Sequence, residues 1–253
     1  MSVTKIPSWD CQLIQHDYSG PSARLPIEGR KADLIFADPP YNIGVKYADD
    51  PTGDKMTLED YQRFTLDTLA TMLASARGGA TLWWMVPEEH ADWVGEMLTR
   101  IVGPRLYRIV WEEAFAQYQG NRALTKDYRF IFVHRVASDG VVTWNPDDIR
   151  IPSARQEVYK DKRANSNGRV PGCIWKVRRL QGTSRDRVDW HPCQLPPEML
   201  VRIVKGWSNP GDLVIDAFAG SGSLGKVCRE LNRGFVGVDR SATYIGKMAE
   251  EMA

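Results

Sequence analysis

Apolar residues recur along the chain in two patterns, as short continuous runs and as longer stretches with helical spacing. The short runs predict buried strands at 11–15, 32–37, 80–86, 107–113 and 128–135. The helical spacing predicts helices at 58–76, 90–102 and 196–208, with Gly78 and Gly79 as the stop signal of the first helix. Because strands and helices alternate, the order indicates an α/β fold with a mostly parallel sheet and helices on both faces.

The stretch 212–239 predicts a strand, a Gly-rich turn, an amphipathic helix and a second strand. The first strand runs into Asp216, and the second ends on Asp239. The turn contains Gly220 and Gly222, whose missing Cβ atoms let a ligand approach the backbone, while the amides that open the helix point at an anionic group. Since an acid at the end of the second strand can accept hydrogen bonds from ribose hydroxyls, the stretch predicts a nucleoside-binding half-site.

Two nucleoside cofactors fit this half-site. Gly220, Gly222 and Gly225 satisfy GxGxxG, the signature of an NAD-binding dehydrogenase. However, few residues follow Asp239, and Asp216 beside the turn would repel a pyrophosphate. S-adenosylmethionine carries an ammonium, a single carboxylate and a ribose, so the two acids favour it over NAD.

A second polar corner follows an apolar run, in "IFADPPYNIG" at 35–44. If Asp38 ends a parallel strand, it lies at the sheet edge where ligands of open α/β folds bind. The Asp38 carboxylate and the Pro39 carbonyl can hold an exocyclic amino group, and Tyr41 can stack on a base. Pro39 and Pro40 make the corner rigid before a substrate arrives. The alternative is a plain Pro-Pro turn with an acid on the surface.

Residues 138–190 break the alternation and are rich in Arg, Asn, Gly, Ser and Pro. Between Arg155 and Arg187, ten lysines and arginines stand against three acids, although the net charge of the whole chain is only +1. Such a basic block can attract a polyanion such as a nucleic acid, and the alternative is a solvated loop.

Cysteine usage and hydropathy bear on the compartment. The chain has four cysteines, Cys11, Cys173, Cys193 and Cys228, and none of them form a CxxC motif. This favours free thiols in a reducing compartment over disulfides or a zinc site. No run approaches the ~20 apolar residues that span a bilayer, and the N-terminal residues lack the apolar core of a signal peptide. We therefore expect a cytoplasmic protein with no membrane association and no metal.

Several aromatic and acidic residues have less specific interpretations. The tryptophans are predicted to be core or interface residues, namely Trp83, Trp84, Trp111 and Trp175. Base stacking is a second role for Trp175, because it lies in the basic block. The stretch "EEHADW" at 88–93 is predicted to be a solvated helix face.

The two polar corners together resemble the amino-group DNA methyltransferases of the permuted beta class, in which the catalytic motif precedes the cofactor motif. "DPPYNIG" is similar to the catalytic motif, whose four positions are Asp38, Pro39, Pro40 and Tyr41. "DAFAGSGS" is similar to the cofactor motif, with Ala217 and Ser223 as departures; its implied cofactor-binding residues are Asp216, Phe218, Gly220, Ser221, Gly222 and Ser223. Asp239 joins them as the implied ribose ligand.

Two further stretches carry the resemblance. "HPCQLP" resembles the segment that packs against the methionine end of the cofactor, which implies His191 and Pro192, although Cys193 replaces the common Thr. "LIQHDYSG" resembles the segment whose acid approaches the cofactor adenine, which implies Asp17, with Asp10 as the competing acid. In the late strand this chain has Lys126-Asp127-Tyr128 where the family often has His-Glu, so Tyr128 is the candidate for the second face of the base.

The resemblance implies a Rossmann-like, S-adenosylmethionine-dependent enzyme that methylates the N6 amino group of adenine in duplex DNA, after the base is flipped out of the stack. It divides the chain into a catalytic region at residues 1–137, an inserted target-recognition segment at 138–187 and a cofactor-binding region of the same domain at 188–253. The recognition segment implies four DNA-binding arginines, Arg178, Arg179, Arg185 and Arg187.

Several alternatives remain open at this point. Cytosine N4 methylation is the nearest, although the family tendency of Asp at the first motif position favours adenine. An RNA or protein-glutamine methyltransferase, a cysteine nucleophile at Cys193 and a catalytically silent DNA-binding regulator are the others. Relatives in this class often form homodimers and occur in bacteria or their phages, so we expect the same here; a restriction endonuclease partner and the recognition sequence are not determined.

Overall fold

The computed structural model describes residues 1–18, 24–50, 53–114, 124–137, 139–182 and 184–253, and these residues form a nine-stranded sheet flanked by helices. The strands are β1 (Ser2–Ile6), β2 (Cys11–Gln15), β3 (Ala32–Ala37), β4 (Ala76–Val86), β5 (Arg105–Ala114), β6 (Tyr128–Arg135), β7 (Ile174–Arg178), β8 (Leu213–Asp216) and β9 (Gly234–Asp239). The helices are α1 (Leu58–Ser75), α2 (Ala91–Ile101), α3 (Ala154–Glu157), α4 (Pro197–Trp207), α5 (Ser223–Glu230) and α6 (Ala242–Met252). Short 3-10 helices span Glu88–His90 and Pro146–Ile149.

The order of strands across the sheet is β1-β2-β9-β8-β3-β4-β6-β5-β7. β2, β9, β8, β3 and β4 form a parallel run, whereas β6 runs antiparallel between β4 and β5. The chain leaves β8 through α5 towards β9, and it leaves β3 through α1 towards β4. The connections therefore diverge between β8 and β3, which is where open α/β sheets bind their ligands. The predicted mostly parallel α/β fold is confirmed.

Each face of the sheet is covered by its own set of helices. Successive strand residues point to opposite faces, so Trp83 packs with the side chains of α4, α5 and α6, while Trp84 packs with those of α1 and α2. Both tryptophans are fully buried.

Among the described residues, no helix has the length and apolar character needed to cross a membrane.

The predicted stop at Gly78 and Gly79 is wrong. Helix α1 ends at Ser75, and β4 begins at once at Ala76, so both glycines lie inside the strand. Glycine is needed at both positions for backbone reasons. A Cβ atom on Gly78 would lie 2.7 Å from the backbone oxygen of Asp139, and Gly79 has φ +78°.

Strand β1 was not predicted because it is an edge strand, largely exposed, with no continuous apolar run.

The segment 138–187 contributes to the main sheet. Its strand β7 pairs in parallel with β5, and Trp175 at its centre is buried with its ring centroid 6.1 Å from that of Trp83. Base stacking by Trp175 is therefore wrong, because its ring lies inside the core. The boundaries of the recognition segment at 138 and 187 stay a prediction. Within them, β7 belongs to the main sheet, since it pairs with β5.

Candidate active site

A cavity of about 550 Å³ opens at the edge of the sheet where the parallel strands end. Its size is typical of a site for a small molecule. The predicted residues that line it are Asp17, Asp38, Pro39, Pro40, Tyr41, Arg179, His191, Asp216, Phe218, Gly220, Ser221, Ser223 and Asp239. The predicted residues outside its lining are Arg178, Arg185, Arg187, Pro192 and Gly222.

The Gly-rich turn after β8 is held by the acid that ends β9. Asp239 Oδ2 accepts a hydrogen bond from the amide of Gly220 at 2.9 Å, and its Oδ1 accepts one from the amide of Ser241 at 2.8 Å. Gly220 and Gly222 have φ of +48° and +72°, which favours glycine at both positions. A Cβ atom on Gly220 would lie 2.7 Å from His191 Nε2, so the turn also needs glycine for packing.

Asp216 lies at the floor of the cavity, directly before this turn. Its side chain is buried, and its Oδ1 accepts a hydrogen bond from the amide of Phe218 at 3.1 Å. Burial raises the pKa of Asp216 to about 8, and the charges of Asp38 and Asp239 contribute to the rise. A buried acid under these conditions favours a cationic ligand group, since the cation relieves the cost of ionisation.

An aromatic wall borders the same region of the cavity. The ring centroids of Tyr18 and Phe64 lie 5.4 Å and 5.7 Å from that of Phe218. The Tyr18 hydroxyl donates to the carbonyl of Ala217 at 3.1 Å, which joins the residues after β2 to the turn after β8. The sequence did not identify Tyr18 or Phe64, because their roles depend on contacts between distant segments.

Of the two acids proposed for the adenine, Asp17 lines the cavity. Asp10 precedes β2, at the opposite edge of the sheet, and binds Arg30 with an N–O distance of 2.6 Å. The competing assignment to Asp10 is therefore wrong. The glycine cradle, two acids and an aromatic wall fit the ribose, ammonium and adenine of S-adenosylmethionine.

The DPPY corner follows β3, on the other side of β8. Asp38 Oδ1 accepts a hydrogen bond from the Tyr41 hydroxyl at 2.5 Å. Burial raises the pKa of Asp38 to about 6, while the hydrogen bond from Tyr41 and the charge of Arg129 oppose the rise. Tyr41 and Arg129 therefore favour the ionised carboxylate, which can accept hydrogen bonds.

His90, in the 3-10 helix that follows β4, anchors this corner. Trp93 Nε1 lies 3.2 Å from His90 Nδ1, and an indole nitrogen can only donate. His90 Nδ1 is thus the acceptor, and the protonated Nε2 donates to the carbonyl of Tyr41 at 3.0 Å. The prediction of a solvated face for "EEHADW" is wrong for His90 and Trp93, whose rings contact each other beside the corner, and is confirmed for the exposed acids Glu88, Glu89 and Asp92.

The loop after the corner crosses to the cofactor half of the cavity. Asp54 is buried and accepts hydrogen bonds from the amides of Asn42 and Val45 at 3.1 Å and 2.9 Å, which closes the base of the loop. At the tip, Asp49 accepts from Thr243 Oγ1 at 2.7 Å, at the start of α6. The loop therefore connects the corner to the helix that follows Asp239.

His191 and Cys193 lie on the wall of the cavity. Burial lowers the pKa of His191 to about 4, so the ring is neutral, and its Nδ1 accepts from the amide of Cys193 at 3.3 Å. Desolvation and the charge of Asp38 raise the pKa of the Cys193 thiol. A thiol that resists ionisation is a poor nucleophile, which argues against the cysteine alternative.

On β6, the residue that lines the cavity is Arg129 and not the predicted Tyr128. Arg129 lines the cavity, while Tyr128 points to the other face of the sheet, where its ring centroid is 5.4 Å from that of Phe130. The strand alternation accounts for this, since neighbouring residues of β6 face opposite ways. Tyr128 is therefore wrong as the residue that packs on the base.

The four predicted DNA-binding arginines fall into two groups. Arg179 is half-buried and lines the cavity. Arg178 at the end of β7 and the following Arg185 and Arg187 are exposed. A common role for all four therefore does not follow from their positions.

The fold and this site define the class of S-adenosylmethionine-dependent methyltransferases, with the catalytic corner placed before the cofactor turn in the chain. A family model described as DNA methylase, N6_N4_Mtase, matches residues 32–251, and the chain belongs to this family. The protein is a DNA methyltransferase that uses S-adenosylmethionine. The NAD-binding dehydrogenase weighed from the Gly-rich turn is thus wrong.

Two curated bacterial proteins are similar to the chain. It is 28% identical over 228 residues to the Type II methyltransferase M.HpaI of Haemophilus parainfluenzae, which covers 89% of this chain and 69% of that protein. It is also 28% identical over 240 residues to the DNA adenine methyltransferase YhdJ of Escherichia coli (strain K12), which covers 92% of this chain and 79% of that protein.

Solved structures share the fold. The crystal structure of the M1.HpyAVI–SAM complex has a TM-score of 0.65 at 16% identity and covers 96% of this chain and 98% of that one. The PvuII DNA methyltransferase, described as cytosine-N4-specific, has a TM-score of 0.69 at 12% identity and covers 98% of this chain and 89% of that one. At these identities the likeness shows the fold and does not identify the target base.

Proposed function

We propose that the protein methylates the N6 amino group of adenine in duplex DNA. The observation that carries the proposal is Asp38, a carboxylate at the first position of the DPPY corner, held by Tyr41 and facing the cavity. The similarity to a relative described as a DNA adenine methyltransferase supports the choice of adenine.

Asp38 and Pro39 orient the amino group. The Asp38 carboxylate and the Pro39 carbonyl accept its two N–H groups, which turns the nitrogen lone pair towards the cofactor half of the cavity. Tyr41 stacks on the base, and His90 keeps the corner in place through the Tyr41 carbonyl. Preorganised acceptors of this kind lower the barrier because they need no rearrangement during the reaction.

The cofactor half holds the methyl donor. When bound, S-adenosylmethionine would supply its sulfonium methyl group to the amino nitrogen and would leave as S-adenosylhomocysteine, while the nitrogen releases one proton. Asp239 would accept hydrogen bonds from the ribose, Asp216 would pair with the ammonium, and Asp17 and Phe218 would hold the adenine, since all four residues line this half of the cavity. His191 and Ser221 border the methionine end.

The DNA contacts follow from the exposed arginines. Arg178, Arg185 and Arg187 bind phosphates of the duplex, while Arg179 reaches into the cavity that receives the base. The target adenine leaves the stack, because its amino group is inaccessible inside a duplex. We also propose that the protein acts in the bacterial cytoplasm, encoded by a bacterium or its phage, and that it forms a homodimer; the bacterial relatives support the first part of this proposal.

Cytosine N4 methylation is the second candidate function. Both bases present an exocyclic amine beside a ring nitrogen, so the two acceptors of the corner suit either. The fold is shared with a methyltransferase described as cytosine-N4-specific, which keeps this candidate open.

The test is direct identification of the product. The protein is incubated with S-adenosylmethionine labelled in its methyl group and unmethylated genomic DNA, which is then digested to nucleosides. We expect labelled N6-methyladenine, and the Asp38→Ala protein serves as the control. Labelled N4-methylcytosine would replace the adenine assignment, and equal labelling by the control would remove Asp38 from the reaction.

A further inference from the structure

A buried carboxylate lies between two arginines beside the DPPY corner. The Glu113 side chain, on β5, is 3% exposed. Its Oε1 lies 3.4 Å from Nε of Arg129 on β6, and its Oε2 lies 3.3 Å from Nη1 of Arg179, just after β7. A buried charge without a partner is costly, so moving either guanidinium group away from Glu113 is unfavourable. Glu113 therefore holds both groups in position. Three neighbouring strands are thus joined at the cavity wall.

Arg129 reaches the corner itself. Its guanidinium carbon lies 5.4 Å from the centroid of the Tyr41 ring, within the range of a cation–π contact. The ring is therefore supported on one face by a planar cation that Glu113 fixes from behind. The antiparallel direction of β6 explains the placement, since its first residues meet the carboxyl ends of the parallel strands.

Arg129 also acts on the charge of Asp38. The charge of Arg129 lowers the pKa of Asp38, against the rise caused by burial, and Glu113 raises it. The titratable or charged groups that interact with Asp38 are Tyr41 on the same corner, Tyr47 and Cys193 on loops, Tyr61 on α1, Glu113 on β5, Arg129 on β6 and Asp216 on β8. Arg129 is the cation in this group and favours the ionised carboxylate.

We propose that Arg129, fixed by Glu113, is a positioning residue for methyl transfer, one that supports the Tyr41 ring against the target base and keeps Asp38 available as an acceptor. The proposal rests on the role given to Asp38 under the proposed function. The two contributions of Arg129, stacking on the Tyr41 ring and positive charge near Asp38, can be separated by substitution. Lysine at this position keeps the charge but lacks the planar group that stacks on a ring.

The first experiment measures Asp38 without cofactor or DNA. Carbon-13 NMR follows the carboxyl carbon of Asp38 against pH, with the signal assigned by its loss in Asp38→Asn. We expect a midpoint near the pKa of about 6 in the natural protein. The midpoint moves to higher pH in Arg129→Gln and stays close to the natural value in Arg129→Lys. Arg179→Gln is the matched control for this titration, because it removes the other partner of Glu113, and we expect a smaller change.

The second experiment measures single-turnover methylation and base flipping. With Arg129→Gln, we expect a rate lower by about 10²-fold, as for a misplaced reacting group, and an acid limb of the pH–rate profile displaced to higher pH. Arg129→Lys keeps the natural acid limb but recovers the rate only in part. DNA with 2-aminopurine at the target position reports stacking on Tyr41 through its fluorescence, which changes in both variants. Arg100→Gln, which removes an exposed cation from α2, is the control with unchanged rate.

The outcomes separate this inference from the proposed function. If Asp38→Ala is inactive while Arg129→Gln shows the natural titration midpoint and rate, the role of Arg129 is wrong and the function stands. If Asp38→Ala is active, the role given to Asp38 under the proposed function is wrong, and the NMR midpoint still reports whether Arg129 and Asp38 interact. Should Arg129→Gln fail to fold, Arg129→Lys decides the matter, because an unchanged rate and unchanged fluorescence in that variant would overturn the stacking role.

Discussion

The two halves of the cavity are held together in different ways. In the cofactor half, Asp216 and Asp239 accept hydrogen bonds from backbone amides of the turn and the residues that follow their own strands. In the base half, Asp38 and Tyr41 depend on side chains from β5, β6 and the 3-10 helix after β4, which are distant in the chain. The acids and the turn of the cofactor half are thus organised largely by backbone contacts, whereas its aromatic wall and the base half depend on side chains from distant segments. Mutations in the two halves should therefore act separately.

The largest expected effect is on catalysis in the base half. Asp38→Ala removes the carboxylate that orients the amine, so we expect methyl transfer to fall by about 10²–10³-fold, as for loss of one preorganised group. Cofactor affinity, measured by calorimetry, should change little because Asp239 and the Gly-rich turn remain. A parallel loss of cofactor affinity would show that the halves are coupled more tightly than their contacts indicate.

The next effect is on binding in the cofactor half. Asp239→Ala removes a charged acceptor for the ribose, and a hydrogen bond of that kind contributes about 1.5–3 kcal/mol. We expect cofactor affinity to fall by roughly 10- to 100-fold, with binding of DNA unchanged. Asp10→Ala, at the opposite edge of the sheet, is the control; unchanged affinity in Asp239→Ala would remove that residue from the site.

The third effect is a pH-dependent change in stability at Asp216. Its folded pKa is about 8, whereas an Asp in an unfolded chain has a pKa of about 3.9. Between these values the folded chain keeps a proton that the unfolded chain has lost, so stability falls as pH rises. Relative to the natural protein, Asp216→Asn should gain stability by up to about 1.4 kcal/mol per pH unit across this window and level off above pH 8.

Chemical denaturation at pH 5, 6, 7, 8 and 9 measures this trend without cofactor. Asp33→Asn is a useful comparison, because that acid pairs with Arg77 and lies away from the cavity. Equal stability differences at every pH for Asp216→Asn would contradict a raised pKa. We also expect weaker cofactor binding by this variant, since the charge that faces the ammonium is lost.

The smallest effect per residue concerns DNA contacts outside both halves. Changing Arg178, Arg185 and Arg187 to Gln should reduce the slope of log affinity against log salt by about 0.9 for each lost phosphate contact. Arg179→Gln should behave differently, because that side chain lines the cavity and pairs with Glu113. An unchanged slope in the triple variant would place the phosphate contacts elsewhere.

The Gly-rich turn of the cofactor half and the acid before it could be predicted from sequence because they are close together in the chain. Asp216, the turn at Gly220 and Gly222, and α5 form one continuous stretch, and glycine is required there by positive φ and close packing. The corner at Asp38 was predicted for a similar reason, since an apolar strand leads directly into it. These expectations depend on local backbone conformation, which a short stretch specifies.

The partners of the corner could not be predicted in this way. His90 and Arg129 reach Tyr41 from the 3-10 helix after β4 and from β6. The predicted alternative, Tyr128, differs from Arg129 by one position. A single residue of strand register reverses the face on which a side chain lies. The chain alone indicated a strand at 128–135 but did not specify which of its faces met the cavity.

The sequence by itself determined the alternation of strands and helices, the two polar corners at the ends of strands, and the chemistry those corners can perform. Only the tertiary structure decided that Trp175 is core, that Arg179 separates from the exposed arginines, and that Glu113 joins Arg129 to the corner. The physical reason is the range of the interactions: backbone preferences and apolar periodicity act over a few residues, whereas burial and ion pairing depend on which distant strands become neighbours.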